Sequence, residues 1–67
     1  MGLRMVAGTP CASGGCPTIY LDGQHVVVQG YPVPAAEAGI DLPDGELLVR
    51  IPRSLFLDGS ARLQLED

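Results

Sequence analysis

The sequence predicts a mainly β domain: a small antiparallel sheet, or a partly open barrel, of about four strands with one or two short helical turns. Three observations carry this expectation. Asp22-Gly23 stands between two runs of β-branched and aromatic residues, the pattern of a hairpin closed by a two-residue turn. Residues 61–66 alternate apolar and polar side chains with the period of a half-buried strand, and residues 46–51 set Leu47, Val49 and Ile51 on one face. The nine glycines and six prolines serve as punctuation for short elements, with Asp22, Asp44 and Asp58 each preceding a glycine.

Taken in order, residues 1–15 lack periodicity and end in Cys11-Ala12-Ser13-Gly14-Gly15-Cys16, which predicts a flexible N-terminal segment ahead of a single small β domain over residues 16–67. Residues 18–21 and 24–29 form the hairpin. A type I′ turn at Asp22-Gly23 sets Leu21 opposite Gln24, Tyr20 opposite His25, Ile19 opposite Val26, Thr18 opposite Val27, Pro17 opposite Val28 and Cys16 opposite Gln29. One face then carries Pro17, Ile19, Leu21, Val26 and Val28. The other carries Cys16, Thr18, Tyr20, His25, Val27 and Gln29. Residues 30–34 leave this ladder, because Pro32 and Pro34 have no N–H to donate. Residues 34–38 suit one or two helical turns with proline first and Gly39 as the stop, too short to be stable alone. Pro43-Asp44-Gly45 is a turn, and residues 46–51 read as a strand with Leu47, Val49 and Ile51 inward until Pro52 ends it. Residues 52–57 suit a short helical turn stopped by Asp58-Gly59, and residues 61–66 a last strand.

Size and composition restrict the function. A chain of 67 residues has little room for a core, a cleft and a supporting shell of catalytic groups, so no enzyme is expected. At 46% hydrophobic and 18% charged, it is too apolar to be disordered. Its apolar strand faces exceed what one small sheet covers, which predicts a homodimer. Eight acids against four arginines leave a net charge of -4, against a broad electrostatic grip on nucleic acid. The absence of lysine matches the codon usage of a GC-rich genome. The longest uninterrupted apolar run, Val26-Val27-Val28, is far short of the roughly 20 residues of a membrane span. The first residues lack a long apolar core, which sets a cytoplasmic location as the expectation.

Candidate chemistry is sparse. Cys11 and Cys16 bracket four residues rich in Gly and Ser, and three readings compete: free thiols in a turn, a disulfide, or a zinc site. Zinc needs four ligands, so it could be held only if Cys11 and Cys16 were pooled across a dimer. In the expected register His25 lies roughly 13 Å along the hairpin from Cys16, too far to share a metal. His25 has neither a nucleophile nor an orienting acid beside it, so no catalytic residue is assigned. Ser13, Ser54 and Ser60 stand in no nucleophile elbow, and Gly14-Gly15 lacks the lysine of a phosphate loop. No small-molecule substrate and no cofactor other than that zinc is implied. The amphipathic hairpin face around Tyr20, His25 and Val27 is the expected interaction face. Arg50, Arg53 and Arg62 are candidates for an anion or DNA contact if they point one way; the alternative is pairing with Glu37, Glu46 or Glu66.

Cys11-x4-Cys16-Pro17-Thr18-Ile19-Tyr20, Val28-Gln29-Gly30, Gly45-Glu46 and Val49-Arg50-Ile51-Pro52 together resemble small uncharacterised actinobacterial proteins with a Cys-x4-Cys-Pro start and a Val-Gln-Gly strand end. Such proteins are often encoded beside helix-turn-helix regulators, and the resemblance, over residues 11–57, implies an accessory regulatory protein. Residues 33–40 followed by 44–49 also resemble the AbrB/MazE-type swapped-hairpin fold, which implies a dimeric DNA-binding regulator or antitoxin. Residues 24–49 hold no Arg or Lys, unlike members of that fold. The leading expectation is a non-enzymatic regulatory accessory protein acting by protein contact as a homodimer. The alternatives are the DNA-binding regulator and a thiol-redox or zinc-stabilised module using Cys11 and Cys16.

Overall fold

The computed structural model describes residues 2–9 and 16–66. They form β1 (Arg4–Gly8), β2 (Thr18–Asp22), β3 (His25–Gln29), β4 (Tyr31–Val33), α1 (Ala35–Ala38), β5 (Leu48–Arg50) and α2 (Arg53–Leu65). One antiparallel sheet has the order β1-β2-β3, and β4 pairs antiparallel with β5 in a second sheet. The domain is mainly β as predicted, but two of its strands and the extent of its second helix are not those the sequence suggested.

The N-terminal segment departs first. Part of the expected flexible lead-in over residues 1–15 is a strand: β1 pairs with β2 through Arg4 opposite Leu21, Met5 opposite Tyr20, Ala7 opposite Ile19 and Gly8 opposite Thr18. The register shifts between Met5 and Ala7, so Val6 is an extra residue in the ladder, and both Val6 and Ala7 are buried. A bulge that turns two consecutive residues inward erases the period of two, which is why this strand escapes a reading by alternation. Beyond the ladder the Thr9 N–H donates to the Pro17 carbonyl at 3.2 Å. Residues 10–15, with Cys11, lie outside the described residues.

The hairpin forms, shifted by two residues. Asp22 is opposite His25, Leu21 opposite Val26, Tyr20 opposite Val27, Ile19 opposite Val28 and Thr18 opposite Gln29. The turn residues are therefore Gly23 and Gln24. Gly23 has φ of +59°, and no described non-glycine residue has a positive φ. That sign pattern is a type II′ turn with glycine first; the expected I′ turn would have required a positive φ at Asp22. A slip of two residues moves every cross-strand partner but leaves every side chain on its own face.

After β3 the chain leaves the first ladder at Gly30, as the prolines dictate, and then pairs again. Tyr31 lies opposite Arg50, Pro32 opposite Val49 and Val33 opposite Leu48. Pro32 is tolerated because a two-stranded sheet consists of edges, where a missing N–H can face outward. Gly30 is needed for space: a Cβ there would sit 2.7 Å from the Arg50 carbonyl oxygen. α1 follows Pro34 as expected and ends at Gly39, whose left-handed φ of 71° lets its N–H reach back to Ala35 and Ala36. The turn at residues 43–46 closes through the Glu46 N–H to the Pro43 carbonyl. β5 is shorter than expected, and of the expected inward set only Ile51 packs against the core: Leu47 is 89% and Val49 45% exposed, while Leu48 is half-buried.

The largest correction is at the C-terminus. Asp58-Gly59 does not stop a helical turn and residues 61–66 are not a strand; α2 runs unbroken from Arg53 to Leu65 behind Pro52 as its cap. Leu55, Gly59 and Leu63 recur at intervals of four and make the stripe that faces the sheet. Gly59 is buried against β2, where an added Cβ would lie 2.6 Å from Ile19 Cδ1. Glycine inside a helix costs about 1 kcal/mol relative to alanine. Close packing on Ile19 offsets that cost, and side-chain pairs at i,i+4 support the exposed face: Arg62 Nε to Asp58 Oδ1 at 3.0 Å and Gln64 Nε2 to Ser60 Oγ at 3.1 Å.

α2 lies across β1 and β2. The buried core is Val6, Ala7, Ile19 and Leu55, with Leu21, Ile51 and Leu63 packed on it. An exposed ion pair between Arg4 and Glu66 joins the start of β1 to the residue after α2.

Candidate functional site

The hairpin has two faces and α2 covers only part of one. Ile19 and Leu21 on β2 are drawn into or against the core, whereas Val26 and Val28, their direct partners on β3, remain exposed. Every residue of β3 is exposed. Between the uncovered strand and the helix runs an open groove of about 580 Å³ lined by Ile19, Leu21, Val26 and Val28 on the sheet and by Phe56, Gly59 and Leu63 on α2, with Gln24, Ser60, Gln64 and Glu66 at its margin. Phe56 is 60% exposed and forms part of the groove wall. Sequence reading missed Phe56 and the uncovered valines as a site. The signal for the helix that carries Phe56 was the spacing of four among Leu55, Gly59 and Leu63.

The opposite face carries the predicted interaction residues Tyr20, His25 and Val27 together. Their mutual arrangement differs from the expectation: Tyr20 lies opposite Val27, and His25 lies opposite Asp22. The Tyr20 hydroxyl donates to Gln29 Oε1 at 3.1 Å, a diagonal contact across the hairpin. His25 and Val27 are exposed and Tyr20 is half-buried. No Asp, Glu, Lys or Arg occurs from Gly23 to Ala36, so β3 and β4 are devoid of formal charge.

The arginines do not gather into one patch. Arg50 and Arg53 line a shallow depression with Val33, Leu48, Val49, Ile51 and Phe56. Arg50 also reaches Glu37 at 3.7 Å, one of the acids expected as a partner. Arg62 lies nine positions after Arg53 in α2. At about 100° per residue it therefore points from the opposite side of the helix, where it pairs with Asp58. Among the described residues Arg53 makes no ion pair.

Cys16 is disulfide-bonded, and its carbonyl accepts from the Thr18 hydroxyl at 2.9 Å. A disulfide sulfur is not a thiolate ligand, so the zinc reading of Cys11 and Cys16 concerns the reduced chain; Cys11 itself lies outside the described residues. Among the described residues no group of three or more His, Cys, Asp or Glu is placed to hold a metal ion. No described helix is long and apolar enough to cross a membrane.

Comparison with known proteins finds no matching family model, no similar curated protein and no similar solved structure.

Proposed function

We propose that this chain is a non-enzymatic regulatory accessory protein that acts in the cytoplasm by protein contact, as a homodimer. The observation that carries the reading is the uncovered strand β3, exposed on both of its faces beside an apolar groove. Exposed apolar surface of this kind, contiguous instead of scattered, marks interaction sites in small proteins. The uncharged stretch from Gly23 to Ala36 supports contact with protein over contact with a polyanion. Sedimentation at micromolar concentration is expected to give a dimer, and affinity capture from native extract a specific partner. A monomer that captures nothing overturns the proposal.

A second reading, nucleic-acid contact, draws support from Arg50 and Arg53 lining one depression, with Arg53 outside any ion pair among the described residues. It predicts a salt-sensitive mobility shift with DNA from the protein's own promoter, weakened by Arg53→Ala. No shift at low salt removes it.

A further inference from the structure

β3 is the edge of its sheet, with β2 on one side and no strand of the described chain on the other. Edge strands are usually defended against pairing with other chains by charges, proline or a bulge. The other edge of this sheet is defended: β1 has a bulge after Met5 and begins with Arg4. β3, with the sequence His25-Val26-Val27-Val28-Gln29, carries none of these devices.

The direction of its unused hydrogen bonds follows from the turn. Asp22 and His25 close a two-residue hairpin, and the closing pair of such a hairpin is a hydrogen-bonded one. Antiparallel pairs alternate, so His25, Val27 and Gln29 direct their backbone groups to β2. The N–H and C=O of Val26 and Val28 point outward, away from the sheet.

We propose that β3 pairs antiparallel with β3 of a second copy about a two-fold axis at Val27, joining two three-stranded sheets into one of six. This deepens the homodimer reading and rests on it. The register is self-complementary. Val26 of one copy exchanges both backbone hydrogen bonds with Val28 of the other, and the symmetric pair does the same. Val27 meets its own copy across the axis as a non-hydrogen-bonded pair, and His25 stands opposite Gln29. This register overlaps the strand along its whole length. It places Val26 and Val28 of both copies on the groove face, so the two grooves merge into one apolar trough between the two α2 helices.

Charge selects a second copy as the occupant. Each chain carries a net charge of -4, yet Gly23 to Ala36 contributes none of it. Two acidic copies meet along this stretch without setting carboxylate against carboxylate, and a strongly charged partner strand finds no counter-charge on it. Their residual long-range repulsion is screened by salt, so association tightens as salt is raised, opposite to the behaviour of a complex with a basic partner.

The test uses the full chain. Val28→Pro removes an outward N–H and sets a proline ring at the edge while sparing the bonds to β2. The expected result is a dimer for the parent chain and a monomer for Val28→Pro with an unchanged far-ultraviolet circular dichroism spectrum. Val27→Cys is expected to give, after mild oxidation, a disulfide joining the substituted positions of the two copies, identified by peptide mass spectrometry. Cα atoms of a non-hydrogen-bonded pair lie about 4.5 Å apart, within disulfide reach. A parent dimer that shows no such cross-link and survives Val28→Pro with its spectrum intact overturns the β3 edge while leaving the homodimer standing. A parent chain that is monomeric at all salt concentrations overturns both. If Val28→Pro unfolds, the cross-link alone decides.

Discussion

Replacing Gly59 by alanine sets two opposed effects against each other at one atom. In a helix interior the change should stabilise by about 1 kcal/mol. Here the new Cβ would sit 2.6 Å from Ile19 Cδ1, with Ile19 Cγ1 at 3.6 Å and Cβ at 3.7 Å. Only the first of these is a clash, since the other two are ordinary contacts. Ile19 is 4% exposed and held between β1 and β3, so relief requires its terminal methyl to rotate towards the groove or α2 to lift. Overpacking of this kind costs about 1–3 kcal/mol. The net expectation for Gly59→Ala is a destabilisation of about 1 kcal/mol. Ile19→Val deletes the clashing methyl and by itself costs about 1 kcal/mol. In the Ile19→Val background Gly59→Ala should therefore change sign and stabilise, a coupling of roughly 2 kcal/mol between the two sites. Urea denaturation followed by circular dichroism at fixed protein concentration measures all four variants; the chain has no Trp to report by fluorescence. If Gly59→Ala stabilises equally in both backgrounds, the close approach of α2 to β2 at Gly59 is refuted, and with it the reason given for a glycine inside this helix.

Three further outcomes are expected. Leu55→Ala, at the most deeply buried hydrophobic position of the core, should destabilise by about 2–4 kcal/mol in the same assay, and a loss below about 1 kcal/mol contradicts its place there. Leu47→Ser should shift stability by no more than about 0.5 kcal/mol, because Leu47 is 89% exposed; the loss of a buried side chain would instead vindicate the inward orientation that alternation predicts. Because Cys16 is disulfide-bonded, alkylation of the denatured, unreduced protein should leave Cys16 unmodified, and reduction first should expose it; full labelling without reductant contradicts the bonded state.

The parts legible in the sequence are those governed by near neighbours. The two faces of the hairpin follow from alternation alone, and Ile19, Leu21, Val26 and Val28 share a face in either register. Gly39 ends α1, Pro43 and Glu46 bracket a turn, and Pro52 separates β5 from α2, each for a reason contained in a few residues. The candidate site was half legible. Tyr20, His25 and Val27 were placed on a common face correctly, but the groove beside Phe56 was invisible, because residues 61–66 alternate like a strand and hid the helix that builds its wall. Asp58-Gly59 reads locally as a turn. Only the stripe of Leu55, Gly59 and Leu63, spaced for a helix and matched to the surface of β1 and β2, outweighs that local preference.

Sequence alone determined that this chain is mainly β, that α1 stops at Gly39 and a turn follows Pro43, which residues of the hairpin share a face, and that its middle stretch is free of charge. Tertiary structure decided the rest: the hairpin register, the bulged β1, the continuity of α2 and, above all, which valines that helix leaves bare. The physical reason is that a strand face has a period of two and survives a slip of two residues, whereas burial depends on where a 13-residue helix comes to lie. α2 settles where Gly59 lets it approach Ile19, and β3 is left open on its far side.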